Sequence, residues 1–287
     1  MALKIEELVE SLSSMDHNLC VKNFIWSKEE WLAINYDEFA DGDDIPIISL
    51  QGILDEKKKK SQDYEMLCHA MVNASSSWGF FKLVDHGVDL KVIENVKLRM
   101  NELFDLPMGQ KLKGARSASL PLGCKMLAHG LGLEDDFFTK SFEEKEATMI
   151  RVNRYPPCPL PEKCLGLGSH SDPDALTILL QDHVGGLQVL KTDHQMESIP
   201  TLSAWTNGRL KSVVHRAVVN KEKQRLSTVY FLSPSSSAIT DCPPQLMDPS
   251  TNPRKYIPFT RENFKKKLQV QKRVVGKTAL DRYLISN

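Results

Sequence analysis

The sequence predicts a mainly β fold that also contains α-helices, with the helices concentrated in the N-terminal half. Two runs, 211–219 and 225–232, are rich in β-branched and aromatic residues and are predicted as strands. Upstream of them, apolar residues recur at helical spacing over 63–76 and 89–106. A chain of 287 residues is long enough for one large domain with a substantial core.

The helical layer is predicted from apolar residues three or four positions apart. It begins with a short helix over 2–13 and continues with a helix over 63–76, a strand over 79–84 and a helix over 89–106. Asp89 is the predicted N-cap of that last helix, and Thr260 is the predicted cap of a C-terminal helix. The residues expected to share the inner faces are Leu67, Met71 and Ala74, and then Val92, Val96, Met100 and Leu103.

Three residues suggest a metal site. His170 and Asp172 are two positions apart, and on a strand residues i and i+2 point to the same face. His215, in the predicted strand 211–219, would complete a 2-His-1-carboxylate triad, which suits Fe(II) and leaves coordination positions open. His183 and His194 are weaker candidates because both lie in turn-like segments.

A second pair suggests an anion clamp. Arg225 and Ser227 share one face of the predicted strand 225–232, and a guanidinium beside a hydroxyl suits a carboxylate. Taken singly, each motif also fits an ordinary ion pair, an exposed strand edge or a proline-stiffened turn. The order and separation of the motifs along the chain favour a functional site.

Several motifs together resemble the plant-type 2-oxoglutarate- and Fe(II)-dependent dioxygenases, which include gibberellin oxidases, flavonoid oxygenases and the ethylene-forming oxidase. The segments that carry the resemblance are 45–50, 78–88, 153–159, 170–180 and 207–232. The resemblance implies a double-stranded β-helix, or jelly roll, as the core over 146–235. An N-terminal helical region over 1–145 would precede this core, and a C-terminal segment with a helix over 236–287 would follow it.

The resemblance also implies the chemistry. His170, Asp172 and His215 would hold Fe(II), with no catalytic residue beyond these ligands. The cosubstrate 2-oxoglutarate would bind the metal, and Arg225 and Ser227 would hold its far carboxylate. Tyr155 and Asn153 would assist in that binding. With O₂, the reaction would oxidise a small organic metabolite, such as a gibberellin or another plant hormone or specialised metabolite, and release succinate and CO₂. Ascorbate is expected as a stimulant.

The chain departs from that family pattern in two places. Gly123 leads almost directly into the end of a helix, which indicates that much of the central helical layer is absent. Residues 191–201 replace a strand-rich stretch, and Asp172 and His215 are only 43 positions apart. We therefore expect at least one barrel strand to be missing, apolar sheet surface to be uncovered, and stability and activity to be low.

Composition limits the partners and the compartment. Lys plus Arg and Asp plus Glu both number 37, so no strong basic excess suggests nucleic-acid binding. Six cysteines without C-x-x-C spacing indicate reduced thiols, and neither a signal peptide nor a membrane span is evident. The sequence predicts a cytosolic, monomeric enzyme.

Three alternatives remain at this level. An oxidase of the same fold that does not use 2-oxoglutarate would also keep Arg225 and Ser227, and it would release no succinate. A shortened, non-enzymatic form would bind iron without turnover. A cupin-like zinc hydrolase is disfavoured, because the sequence places no general base and leaves the arginine clamp unexplained.

Overall fold

The computed structural model describes residues 39–40, 44–51, 61–107, 122–142, 148–190, 201–270 and 283–285. Within them the helices are α1 Gln62–Ser77, α2 Leu90–Asp105, α3 Leu122–Gly130, α4 Thr201–Trp205 and α5 Arg261–Val270. The strands are β1 Phe39–Ala40, β2 Ile47–Ser49, β3 Lys82–Val84, β4 Thr148–Tyr155, β5 Leu165–His170, β6 Leu176–Gln181, β7 Leu187–Leu190, β8 His215–Val218, β9 Arg225–Leu232, β10 Ile239–Thr240 and β11 Phe259–Thr260.

Two antiparallel sheets form the β core. One has the strand order β1-β7-β8-β5 and the other the order β4-β9-β6. The predicted strand 225–232 is confirmed as β9, and it pairs with β4 on one side and β6 on the other. The two outer pairs, β2-β3 and β10-β11, are short. The expected mixture of a β core and N-terminal helices is therefore confirmed.

The N-terminal helices differ in how they are buried. In α1 the Ser61 side chain accepts a hydrogen bond from the Tyr64 backbone N–H, and the inner face packs on α3. This packing is close, because a Cβ on Gly130 would lie 2.6 Å from the Cys68 carbonyl oxygen. Asp89 caps α2 as predicted, but no α2 side chain is fully buried and Val92 is more than half exposed. The second helix is thus a surface helix.

The main core lies where α1 and α3 meet the sheets. Trp205 is buried against Phe138, with ring centroids 5.6 Å apart, and Leu210 and Leu232 belong to the same cluster. A smaller cluster near the metal-binding motifs contains Val189 and Val213, with Phe80 packed against it. A third joins α5 to the C-terminal segment through Phe259, Phe264 and Tyr283.

One apolar row on the three-stranded sheet is uncovered among the described residues. Ile150, Tyr230 and Ile178 lie side by side across β4, β9 and β6. Ile150 is 54% exposed and Ile178 is 44% exposed. This agrees with the expectation that the shortened helical layer leaves part of the sheet uncovered. Within the described part of the chain, β6 pairs only with β9 and so forms a sheet edge.

Some predictions cannot be compared with the structure. The helix over 2–13 and the replaced stretch 191–200 lie outside the described residues, as does most of the segment before Gly123. The region boundaries at 145 and 235, the missing strand and the low stability stay predictions. Among the helices that are described, none has the length and apolar character needed to cross a bilayer.

Candidate metal centre

His170 and His215 face each other across two antiparallel strands. His170 ends β5, His215 begins β8, and the two are register partners in that pair. Their ring centroids are 4.3 Å apart. Asp172 Oδ1 lies 3.6 Å from His170 Nε2 and 3.7 Å from His215 Nε2. The structure therefore brings together all three residues that the sequence singled out.

The ligand atoms of these three residues all lie within 4.8 Å of one another, and no other such group occurs among the described residues. Two imidazoles and one carboxylate are the donor set of an Fe(II) site with open positions. His183 lies outside the cluster, and His194 lies outside the described residues.

The structural features that bring these three residues together differ from those that the sequence predicted. Asp172 does not share a strand with His170, because β5 ends at His170 and Asp172 lies in the turn that follows. The predicted strand 211–219 is also shorter and begins only at His215. Cross-strand register and a turn, and not alternation along one strand, bring the three groups together.

Backbone carbonyls orient both imidazoles. His170 Nδ1 lies 2.8 Å from the Gly168 carbonyl oxygen, and His215 Nδ1 lies 3.1 Å from the Val213 carbonyl oxygen. A carbonyl can only accept, so each Nδ1 must carry the proton in these hydrogen bonds. Each Nε2 then keeps its lone pair and points it toward the cluster, which is how proteins commonly orient histidine ligands.

The local electrostatics also favour the protonation states of His215 and Asp172 that can bind a cation. Burial lowers the pKa of His215 below its ordinary value, which favours the neutral imidazole. For Asp172 burial favours the neutral acid, but the neighbouring His170 and His215 and the side chain of Thr177 outweigh it and lower its pKa. The carboxylate is therefore charged, and the buried imidazole is neutral, near neutral pH.

We expect metal affinity to be nearly independent of pH above neutrality and to fall in acid. A protonated imidazole has no lone pair, and because the pKa of His215 is lowered, this ligand stays competent to a lower pH than a free histidine. Below that pKa the apparent affinity should drop about tenfold per pH unit for each competing proton. Co(II) titrations between about pH 5 and pH 8 would measure this, since ordinary histidine titrates at about 6.5. A complete loss of binding already at pH 7 would contradict the lowered pKa.

The predicted anion clamp lies on the other sheet. Tyr155 is the register partner of Arg225, and Asn153 is the partner of Ser227. The Asn153 side-chain amide donates to Ser227 Oγ at 3.3 Å, and the Arg225 guanidinium carbon lies 5.1 Å from the centre of the Tyr155 ring. All four predicted clamp residues are thus brought together on one face.

Arg225 is buried but incompletely hydrogen-bonded. Its side chain is 2% exposed, and its Nη2 donates to Gln181 Oε1 at 2.9 Å. Its Nε and Nη1 are buried without a hydrogen-bond partner among the described residues. A buried charge normally has a partner, so this guanidinium fits a bound anion such as the far carboxylate of 2-oxoglutarate.

Sequence reasoning missed two neighbours of the site. The side chain of Thr177 helps to lower the pKa of Asp172, and Gln181 accepts a hydrogen bond from Arg225. Both lie on β6, four positions apart, and therefore share a strand face. The spacing of four positions could have shown that Thr177 and Gln181 lie on one face of a strand. It could not have shown which strand β6 pairs with.

Comparisons with known proteins agree with the site. Residues 147–234 match the family model of the 2OG-Fe(II) oxygenase superfamily, and residues 45–130 match the model called non-haem dioxygenase in morphine synthesis N-terminal. Gibberellin 20 oxidase 1 of Arabidopsis thaliana is 30% identical, covering 84% of this chain and 82% of that protein. The chain belongs to the 2OG-Fe(II) oxygenase family.

Other members of this oxygenase family give the same picture. Naringenin,2-oxoglutarate 3-dioxygenase of Petunia hybrida is 32% identical over 76% of each chain. The crystal structure of JOX2 in complex with 2OG, Fe and JA is 27% identical with a TM-score of 0.67, covering 84% of this chain and 89% of that one. Family membership and this match confirm the predicted double-stranded β-helix, the dioxygenase class, and Fe(II) and 2-oxoglutarate as its cofactor and cosubstrate.

The alignment also supports a shortened chain. It spans 319 positions with the gibberellin oxidase, whereas 84% of 287 residues is about 241 residues. The remaining positions, about 78, are gaps in this oxygenase. A shortfall of this size is expected if the two departures from the family pattern noted in the sequence are deletions.

Proposed function

We propose that this oxygenase oxidises, usually by hydroxylation, a small organic metabolite such as a gibberellin or another plant hormone or specialised metabolite. Succinate and CO₂ would be released from 2-oxoglutarate. The observation that carries the proposal is the buried Arg225, whose Nε and Nη1 have no hydrogen-bond partner among the described residues, in a chain that also assembles the His170, Asp172 and His215 cluster. Gibberellin 20 oxidase 1 and gibberellin 2-beta-dioxygenase 8 are among the similar proteins, which supports the substrate class.

In this proposal each residue has a defined task. His170, Asp172 and His215 hold Fe(II), and the bound Fe(II) supplies the activation of O₂. Arg225 and Ser227 hold the far carboxylate of 2-oxoglutarate, with Tyr155 and Asn153 supporting them. Since arginine does not lose its proton, Arg225 serves binding and orientation and not proton transfer.

Charge balance supports the choice of a dianionic cosubstrate. Fe(II) with the Asp172 carboxylate and two neutral imidazoles carries one net positive charge, and Arg225 adds a second. A dicarboxylate such as 2-oxoglutarate neutralises both. Because Arg225 is buried with Nε and Nη1 unpaired, a bound anion would stabilise it further.

The proposed function can be tested by a metabolite screen scored by succinate. The protein with Fe(II), 2-oxoglutarate, O₂ and ascorbate should release succinate in step with oxidation of a hormone-like metabolite. Product formation without succinate would instead favour an oxidase that does not use 2-oxoglutarate. Iron and 2-oxoglutarate binding without any turnover would favour a non-enzymatic form.

We expect Arg225→Lys to weaken 2-oxoglutarate binding about tenfold to a hundredfold. Lysine keeps the charge but loses the planar fork, and a charge-assisted hydrogen bond contributes ~1.5–3 kcal/mol. Metal affinity should change little, because Arg225 is not part of the ligand cluster. Calorimetric titration of the Mn(II)-loaded protein with 2-oxoglutarate would measure this.

The matched control for that variant is Arg154→Lys. Arg154 lies next to Tyr155 on β4 and so points to the opposite face, where it pairs with Asp105 at 2.9 Å. Its replacement should leave 2-oxoglutarate affinity unchanged. Equal affinities in the wild type and Arg225→Lys would remove Arg225 from the proposed site.

We also propose that this oxygenase is located in the cytosol and is a monomer. The five described cysteines are free thiols. Burial raises the pKa of Cys68, Cys164 and Cys242 to about 11 and that of Cys124 to about 12. Such thiols are protonated and unreactive near neutral pH, which suits a reducing compartment. Sedimentation of the purified chain would test the monomer.

A further inference from the structure

Gln181 is the acceptor that orients the buried arginine. It ends β6 in the same cross-sheet row as Ser227 and Asn153, on the face that carries Arg225. Its Oε1 accepts a hydrogen bond from Arg225 Nη2 at 2.9 Å. Because a guanidinium only donates, the carbonyl oxygen of this amide must face Arg225, and its Nε2 group remains a donor.

Most of the groups around the rest of the guanidinium are uncharged. The Tyr155 ring lies against one side of it. Gly186, at φ +101°, lies on another, where a Cβ would be 3.1 Å from Arg225 Cδ and 2.9 Å from the Val218 carbonyl oxygen. Burial lowers the pKa of Arg225, and the nearby carboxylate of Asp182 partly opposes this. The oxygens of Asp182 themselves accept hydrogen bonds from the backbone N–H groups of Val184 and Leu226. Gln181 thus fixes the arginine while remaining neutral.

We propose that Gln181 is a positioning residue for the cosubstrate, which fixes the rotation of Arg225 without neutralising it. This inference rests on the proposed function, in which Arg225 binds the far carboxylate of 2-oxoglutarate. A neutral acceptor adds no negative charge of its own beside Arg225 and leaves Nε and Nη1 unpaired. A carboxylate at the same position would form an ion pair with Arg225 and compete with the cosubstrate. The amide is therefore required for its neutrality as well as for its shape.

The test compares Gln181→Glu with Gln181→Leu in Mn(II)-loaded protein, titrated with 2-oxoglutarate in a calorimeter. Gln181→Glu keeps the hydrogen bond to Arg225 but cancels its charge, and should weaken binding about a hundredfold. Gln181→Leu loses the orienting bond only, and should weaken binding about tenfold. Metal affinity should be unchanged in both. In turnover, KM for 2-oxoglutarate should rise more than kcat falls.

A pH series separates positioning from a merely structural role. Lowering the pH toward the pKa of the introduced carboxyl should restore part of the affinity of Gln181→Glu relative to wild type, because protonation removes the competing charge. The matched control is Gln224→Glu. Gln224 makes the same kind of glutamine–arginine hydrogen bond, because its Oε1 accepts from Arg154 Nε at 2.7 Å. Arg154 points away from the proposed site, so this replacement should leave 2-oxoglutarate affinity unchanged.

The outcomes separate this inference from the proposed function. If wild-type protein binds no 2-oxoglutarate, both the proposed function and the proposed role of Gln181 are overturned. If wild type binds it and both Gln181 variants bind it equally well, only the role of Gln181 is overturned. Should Gln181→Leu melt at a lower temperature, Gln181→Glu decides, since it keeps the bond to Arg225. A Gln181→Glu affinity equal to wild type would then contradict the inference.

Discussion

His215→Ala is expected to abolish Fe(II) binding and, with it, the weak visible charge-transfer band that 2-oxoglutarate should produce on the iron-loaded protein. His215 supplies one of three ligands, and its lone pair is directed at the cluster by the hydrogen bond to Val213. Even residues that only support a metal ligand change affinity about 10–100-fold when replaced. Losing a ligand itself should cost more than that, and activity should be lost with it.

Anaerobic Fe(II) titration followed by visible spectroscopy would measure this effect. The control is His183→Ala, because His183 is an exposed turn residue outside the cluster and its loss should change neither binding nor the band. The His215 ring also packs edge-on against Phe80 at 5.2 Å, so circular dichroism should accompany the titration. A band of unchanged intensity in folded His215→Ala protein would show that His215 is not a ligand.

The residues of the candidate site could be predicted, but their geometry could not. Imidazole, carboxylate, guanidinium and hydroxyl groups are visible in the sequence as chemical types. That His170 lies opposite His215 depends on the pairing of β5 with β8, including two register shifts between Leu165 and His170. Single-sequence patterns specify the period of a strand but not its partner. Gln181 and Thr177 were missed for the same reason.

Strand boundaries were predicted well for β9 and poorly for β8, although each of these strands lies between two others. The run 225–232 matches β9, which is paired along both edges. The run 211–219 has a similar composition, but the Lys211 N–H donates to the Ser75 carbonyl oxygen at the end of α1. The chain at Lys211 is thus held by α1, and the regular strand starts later, at His215. Likewise Gly79 has φ +66°, which turns the chain before β3 begins at Lys82.

The second large effect concerns a buried ion pair that ties the C-terminal helix to the metal-binding turn. Arg261, the first residue of α5, donates to Asp174 at 2.9 Å and to Ser233 Oγ at 2.6 Å, and Ser233 also hydrogen-bonds Asp174. The Arg261 and Asp174 side chains are only 11% and 7% exposed. A cation at a helix N-terminus is unfavourable for the helix dipole, so the pairing explains why an arginine is tolerated there.

Asp174 lies two residues after Asp172, in the same turn between β5 and β6. The Thr201 hydroxyl donates to the Pro173 carbonyl oxygen at 3.2 Å and so holds the turn from another side. Loosening Asp174 should therefore also loosen Asp172. Displacing a group in the site by ~1 Å can reduce a rate on the order of a hundredfold.

We expect Arg261→Ala to destabilise the protein by about 3–5 kcal/mol, because it leaves the Asp174 carboxylate buried without its cation. That is a large share of a typical folding free energy of ~5–15 kcal/mol. The melting temperature should fall by roughly 10 °C, since 1 kcal/mol corresponds to about 2–4 °C in a chain of comparable size. Co(II) affinity should fall as well, measured below the melting transition.

Two further variants distinguish the buried pair from a general effect of losing an arginine. Arg254→Ala removes an exposed pair with Asp241, with side chains 36% and 43% exposed, and should cost less than about 1 kcal/mol. Asp174→Leu with Arg261→Met removes both buried charges at once and should recover most of the lost stability, because an apolar pair needs no mutual compensation. If Arg261→Ala melts within about 2 °C of wild type, a shift worth only about 0.5–1 kcal/mol, the ion pair does not hold the turn.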